Sequence, residues 1–395
     1  MNKNLVKKVA LSRGEALRQK NKSILFTCRD DAASRYIAAI SQYLTAQGHF
    51  TINIVAQENA KIYLAEQGIK FIDVPFTAST VKNDHLYHEN LRFAETLVAA
   101  LKPDSLVVGL SSPGRGGIDE AMLAVASCPT FLVQDYWGEY NNYFGVLPDC
   151  FFVLDEFASK LTSQKLNTKT VIMGSPRHAN FENLKLDRLR FDGRVRYGIK
   201  RDSLVYGWFG QALHSVSGYH STVNNWAEII ASFYDSISVP LKVVYKPHPR
   251  EFPHEISKTI NIISRHIDVI TIDNETIEQA LTICDYVSSI ISNCLYDASY
   301  LNFSSPEPAV IPISTIIDEE LRGYLAKMNY LDGLPYQKSD IVFCPKSYDE
   351  LCSIMDIRSH ERLGYQVHQA ARKTLCSPKS ALATYYEYFY KFLYR

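Results

Sequence analysis

The sequence predicts an α/β protein made of two Rossmann-like, doubly wound parallel-sheet domains facing a cleft, and three observations predict it. Short apolar runs of strand length alternate with stretches of helical periodicity, the pattern of βα units and a parallel sheet. The alternation breaks once, at 180–202, where Lys185, Asp187, Arg188, Arg190, Asp192, Arg194 and Arg196 crowd together. A chain of 395 residues is longer than one ordinary domain. The expected organisation is a basic arm at 1–22, a first domain at 23–180, a linker at 181–202 and a second domain at 203–347. A helical tail at 348–395, rich in tyrosine, is expected to pack back on the first domain.

The arm carries Lys3, Lys7, Lys8, Arg13, Arg18, Lys20 and Lys22 against Glu15 alone. It reads as a solvated basic arm, with a surface helix drawn to anionic headgroups as the alternative. The first strand is 23–28 (SILFTC), ending in Arg29-Asp30-Asp31, and Ile37, Ile40, Tyr43 and Leu44 follow at helical spacing up to Gly48. Strands are expected at 51–55, 71–74, 106–109, 130–133, 150–154 and 171–173, with helices at 60–67, 91–101, 118–126 and 156–165 between them. Beyond the charged stretch, strands are expected at 204–209, 241–245, 268–272, 286–289 and 310–313. Helices at 222–236, 253–265, 275–284 and 294–301 separate them.

Composition narrows the class. Hydrophobic residues make up 46% and charged residues 21%, enough apolar material for two cores. The 42 basic and 42 acidic residues cancel, which argues against a nucleic-acid binder with a dominant basic field. Eight cysteines are scattered, without a CxxC pair or zinc spacing, so reduced thiols in a cytoplasmic setting are expected. No apolar run is long enough to span a bilayer, leaving peripheral contact at a membrane through the basic arm as the one membrane role.

Three short elements of the second domain could carry chemistry. The strand at 241–245 runs into Lys246-Pro247-His248-Pro249-Arg250-Glu251. Prolines on both sides hold His248 extended, and Lys246, His248 and Arg250 are cations or donors at the carboxyl end of a strand, where open α/β sheets bind ligands. The strand at 204–209 ends in Gly210-Gln211, where a missing side chain lets a phosphate approach the backbone. The third is Ser288-Ser289-Ile290-Ile291-Ser292-Asn293, in which Ser292 or Asn293 is placed to cap the next helix at an anion-binding amino terminus. Each alone also reads as an ordinary corner, turn or cap. All three follow strands of one half-domain, so they are expected to converge on one rim and hold a nucleotide phosphate.

These elements resemble the carboxy-terminal half of GT-B glycosyltransferases, most closely bacterial sialyltransferases, polysialyltransferases and related capsule or lipooligosaccharide transferases. In that resemblance His248 and Pro249 match a His-Pro motif, and Ser292 with its neighbours matches a serine motif; together these hold the phosphate and cytidine of a CMP-sugar. The resemblance makes the first domain the acceptor domain and the second the nucleotide-sugar donor domain. It implies donor-binding roles for Gly210, Gln211, Lys246, Pro249, Arg250, Ser289, Ser292 and Asn293. It also implies a catalytic acid in the first half, often in an acid-acid-Gly motif. This chain departs from that motif and reads Gln134-Asp135-Tyr136-Trp137-Gly138-Glu139. Asp135 is the first choice for the base and Glu139 the second; Asp30, Asp31 and Asp119 are rivals at neighbouring strand ends.

Acceptor contacts are expected from Arg29, Asp30, Arg115 and Asp119. Arg115 lies in Gly114-Arg115-Gly116-Gly117, which lacks the Gly-Lys-Ser/Thr ending of a P-loop. No metal and no cofactor is expected, since Asp-x-Asp is missing and cationic side chains can neutralise a leaving phosphate. The function expected is an inverting, metal-independent transfer of an acidic sugar (sialic acid, a related nonulosonate or Kdo) from a CMP-sugar donor. The acceptor would be an oligosaccharide or lipid-linked glycan of a bacterial surface. The alternatives are a CDP-polyol phosphotransferase of teichoic-acid type, a nucleotide-sugar 2-epimerase, and a non-catalytic nucleotide- or glycan-binding partner of a capsule assembly.

Overall fold

The computed structural model describes residues 21–234, 238–327 and 334–395, so the basic arm up to residue 20 lies outside the described residues. Two compact units divide the chain, one reaching Arg177 and including Ser377–Arg395, the other His178–Cys376.

The first unit alternates β1 (Lys22–Cys28), α1 (Asp31–Gln47), β2 (Phe50–Ala56), α2 (Ala60–Glu66), β3 (Ile72–Asp73), α3 (His85–Leu101) and β4 (Ser105–Gly109). It continues through α4 (Ile118–Val125), β5 (Thr130–Val133), β6 (Cys150–Val153), α5 (Glu156–Leu166) and β7 (Lys169–Ile172). Its seven strands lie in the order β3-β2-β1-β4-β5-β6-β7, and each pairs in parallel with its neighbours. β1 and β4 are apolar without alternation because helices cover both faces of a parallel sheet, and Ile24, Leu25, Phe26, Leu106, Val107 and Val108 are all fully buried. The chain builds outward from β1 to β3 and returns to β4 beside β1, so the sheet's switch point lies at the carboxyl ends of β1 and β4.

The second unit opens with α6 (Leu186–Arg196), then β8 (Leu204–Phe209), α7 (Tyr219–Ser232), β9 (Leu241–Lys246), α8 (Pro253–Ile263), β10 (Val269–Thr271), α9 (Ile277–Ile283), β11 (Tyr286–Ser289), α10 (Cys294–Ser304), β12 (Ile311–Ser314) and α11 (Glu319–Lys327). The five strands run β10-β9-β8-β11-β12, again all parallel, with the switch point at the ends of β8 and β11. Tyr219, Val223, Trp226 and Ile230 recur every three or four residues on α7 and form its buried face over the sheet.

Two boundaries differ from expectation. The segment 181–202, expected as a linker, contains α6, which packs on α9 within the second unit. Its charges are structural: buried Arg194 donates to Asp285 at 2.8 Å and to the carbonyls of Ile283 and Ser203, while Asp285 accepts the Val205 N–H at 2.8 Å. A charge-rich sequence therefore reads as a linker only until its partners are known. The expected tail is divided as well. α12 (Tyr348–Met355) and α13 (His360–Thr374) belong to the second unit, where Leu351, Met355 and Leu363 join the core. Only α14 (Pro378–Tyr394) joins the first, setting Tyr385 and Phe389 edge-on against Phe152 at 5.4 and 5.7 Å between ring centres.

Candidate functional site: the rim of the second sheet

The carboxyl ends of β8, β9 and β11 are tied together by hydrogen bonds. Gly210 N–H donates to the Lys246 carbonyl at 2.9 Å, joining β8 to β9. Ser289 Oγ donates to the Phe209 carbonyl at 2.7 Å, and the Ile291 N–H donates to Gln211 Oε1 at 2.8 Å, joining β11 to β8. The structure thus brings together Gly210, Gln211, Lys246, His248, Pro249, Arg250, Ser289, Ser292 and Asn293 on one edge of one sheet.

Their tasks differ. Ser289 is fully buried and Gly210 is buried, hence they build the rim from beneath, and the Ser289 hydroxyl is spent on the Phe209 carbonyl. Gln211 commits its carbonyl oxygen to the loop of β11. Lys246 Nζ donates to the Asp273 carbonyl at 2.9 Å, and partial burial lowers its pKa. Pro249 and Arg250 are exposed. Ser292 Oγ accepts the Cys294 N–H at 3.2 Å, whereas Asn293, at the cap position of α10, makes no side-chain cap bond and its buried Oδ1 has no hydrogen-bond partner among the described residues.

His248 is the most telling member. Its Nδ1 accepts the Arg250 N–H at 3.1 Å, which puts the ring proton of the neutral form on Nε2. Burial, reinforced by Arg250, pushes its pKa down to about 4. At neutral pH the ring is therefore an uncharged Nε2–H donor, and no bond to that atom is made among the described residues.

The first unit's switch point is arranged differently. Arg29, expected to touch an acceptor, is wholly buried at the end of β1. Its guanidinium lies 3.6 Å from Glu120, 3.7 Å from Glu58 and 3.7 Å from Asp30. Asp119, also buried, accepts from Thr27 Oγ1 and Ser111 Oγ, both at 2.5 Å. Glu120 accepts the Gly117 N–H at 2.8 Å and the Asn141 amide at 2.7 Å. Burial pushes the carboxyl groups of Asp119 and Glu120 up, and Arg29 opposes it. A Cβ on Gly117 would lie 2.7 Å from Arg29 Cδ, so the helix must start with glycine to pass this close. Arg29 and Asp119, both expected to contact an acceptor, are buried in the unit: the Asp119 carboxylate is held by two hydroxyls, whereas Arg29 Nε and Nη1 make no hydrogen bond among the described residues. Asp30 is half-buried and accepts from the Ser112 N–H and hydroxyl; half-buried Arg115 pairs with Glu58. Asp31 is exposed and pairs with Arg35 at 2.9 Å.

Asp135 stands one residue past Gln134 at the end of β5. Gln134 donates to Thr162 and to the Glu139 carbonyl, and Trp137 Nε1 donates to Asp155 at 2.8 Å, so the loop is pinned on either side of Asp135. Burial and the neighbouring Glu139 raise Asp135 to about 7, with Arg177 opposing. Both Asp135 and Glu139 remain half-buried. Glu120 and His214 carried no sequence expectation, and Glu251 was given no role. The readable signals were an acid three residues after the glycine opening α4, and an acid closing a rigid turn.

Among the described residues no group of three or more His, Cys, Asp or Glu side chains is placed to hold a metal ion, and no helix is long and apolar enough to cross a membrane.

No protein-family model matches the chain, and no curated protein matches it. Solved structures do. The UDP-bound MnaA of S. aureus superposes with a TM-score of 0.65 at 13% identity, over 94% of this chain and 97% of that one. The UDP-GlcNAc 2-epimerase of Neisseria meningitidis, bound to UDP-GlcNAc, gives 0.65 at 14%, over 93% and 100%. A glycosyltransferase from Rickettsia africae gives 0.63 at 13%, over 95% and 99%. At these identities the likeness is one of fold, and the fold is of the GT-B type shared by such epimerases and glycosyltransferases.

Proposed function

We propose that this protein is a nucleotide-sugar enzyme whose second unit holds the nucleotide phosphate on the His248 turn. One observation carries the reading: three adjacent strand ends at the sheet's switch point are locked into a rim that keeps a neutral Nε2–H donor on His248. A donor there strengthens its bond as negative charge grows on a departing phosphate oxygen. Lys246 and Arg250 on the same turn add positive potential.

The reaction proposed first is inverting glycosyl transfer from a CMP-linked acidic sugar, which rests on the match of His248-Pro249 and Ser292 to the motifs of sialyltransferase-like enzymes. Asp135, with a pKa near 7, suits a base that takes the acceptor hydroxyl proton as oxygen bonds to the anomeric carbon. The glycosyl–phosphate bond breaks at the same time and its electron pair leaves on CMP. Glu139 serves to tune Asp135, and a surface glycan is the proposed acceptor. The second reading, nucleotide-sugar 2-epimerisation, is favoured by the likeness to UDP-GlcNAc 2-epimerases over almost the full chain.

A thermal-shift series with CMP, CDP, UDP and UDP-GlcNAc separates them, because stabilisation grows with ligand concentration over Kd. The transferase reading expects CMP to raise the Tm most. A response to UDP and UDP-GlcNAc alone would replace it with the epimerase, and no response to any nucleotide would remove both.

A further inference from the structure

We propose that Glu251, clamped by His214 and Tyr245, is the positioning residue that sets the His248 turn for phosphate binding. The inference rests on the nucleotide-sugar reading and deepens it by naming what orients its donor. The Glu251 carboxylate is shut off from solvent entirely. Oε2 accepts the backbone N–H of His248 at 2.6 Å, and the Glu251 N–H returns to the His248 carbonyl at 2.9 Å. Oε1 accepts from the Tyr245 hydroxyl at 2.8 Å and bonds His214 Nε2 at 2.6 Å. The carboxylate therefore grips the backbone of His248 in front and two side chains behind.

Two further contacts exclude looser arrangements. A Cβ on Gly210 would lie 2.2 Å from Glu251 Oε2, so glycine at the end of β8 makes room for the carboxylate itself. A glycine that reads from sequence as space for a phosphate is filled from below by a side chain. Behind, His214 Nδ1 meets His220 Nε2 at 3.1 Å. With Nε2–H of His214 given to Glu251, its Nδ1 either accepts a hydrogen bond from His220 Nε2–H or, in the imidazolium form, donates one to it. His220 in turn lines an open groove of about 830 Å³ between α7 and α8. The clamp is thus a continuous chain from a solvent-facing histidine to the backbone of the turn.

Its consequence lies in the ring of His248. The Arg250 N–H bond to Nδ1 exists because the turn is closed at 248–251, and that bond keeps the proton on Nε2. Glu251→Gln keeps the size of the side chain but replaces one acceptor oxygen by a donor. The amide nitrogen then faces either the His248 N–H or the Tyr245 and His214 donors, and one side of the clamp opens.

The test uses the full chain labelled with ¹⁵N-histidine. In the wild type the His248 signals should report a single tautomer, protonated on Nε2, at neutral pH. Glu251→Gln should give a mixture of tautomers at His248, and affinity for whichever of CMP or UDP binds should fall at least about tenfold by calorimetry. Tyr245→Phe removes one rear donor only, and should keep the tautomer with an affinity loss of a few-fold. A Glu251→Gln protein with an unchanged His248 tautomer and an affinity within about twofold of wild type would overturn the proposal. Should Glu251→Gln not fold, His214→Gln takes its place: tautomer mixing there supports the clamp, and an unchanged tautomer and affinity overturn it. Should neither nucleotide bind the wild type, the nucleotide reading fails while the tautomer still decides the role of Glu251.

Discussion

The two units place charged side chains at the same topological position and use them in opposite ways. At the switch point of the first sheet, between β1 and β4, Arg29 is enclosed by Glu120, Glu58 and Asp30, with Asp119 held by two hydroxyls beside it. At the switch point of the second, between β8 and β11, buried polar groups such as Ser289 and Glu251 bond backbone, and half-buried His248 keeps an Nε2–H that makes no bond among the described residues. In the first case charge neutralises charge inside the unit; in the second, hidden polar groups shape a loop whose visible groups stay available. Strand topology selects where a site can be, and the direction of the buried hydrogen bonds selects whether there is one.

The comparison can be broken most forcefully at Arg29. Arg29→Met leaves a cluster of buried carboxylates without their counter-charge and should cost about 3–5 kcal/mol of stability, read from the denaturant midpoint. If stability held while sugar acceptor affinity dropped, the first switch point would be a binding site after all. The matching change in the second unit is His248→Ala. It should leave the fold intact and lower turnover of the nucleotide sugar by about 10²–10³, the usual cost of deleting one donor to developing charge. Near-normal turnover would remove His248 from the chemistry.

A smaller effect sharpens the role of Asp135. A base must be ionised, so activity should rise with pH through the Asp135 value of about 7, and His248 cannot account for that limb because it is already neutral above about 4. Glu139→Gln removes a repulsive charge and should move the limb to lower pH; Arg177→Gln removes an attractive one and should move it higher. A limb that stays put in both variants would take the base assignment away from Asp135.

Much of this was legible in the residues. Short unalternating apolar runs such as Leu106-Val107-Val108 fit strands covered on both faces, and their alternation with helical stretches points to parallel sheets with ligand sites at the strand ends. The sequence also limited the backbone of the 246–251 turn, since two prolines flank its histidine, although the clamp that holds the turn reaches back to His214. Partners distant in sequence were decided only by tertiary structure. Arg194 finds Asp285 from 91 residues away, which turns an apparent linker into a helix of the second unit. Arg29 looks like an exposed strand-end cation until Glu120 closes over it, and Gly210 looks like room for a phosphate until Glu251 fills it. A residue's type states which bonds it can make; whether those bonds are spent inside the molecule or kept for a ligand depends on what folding brings beside it.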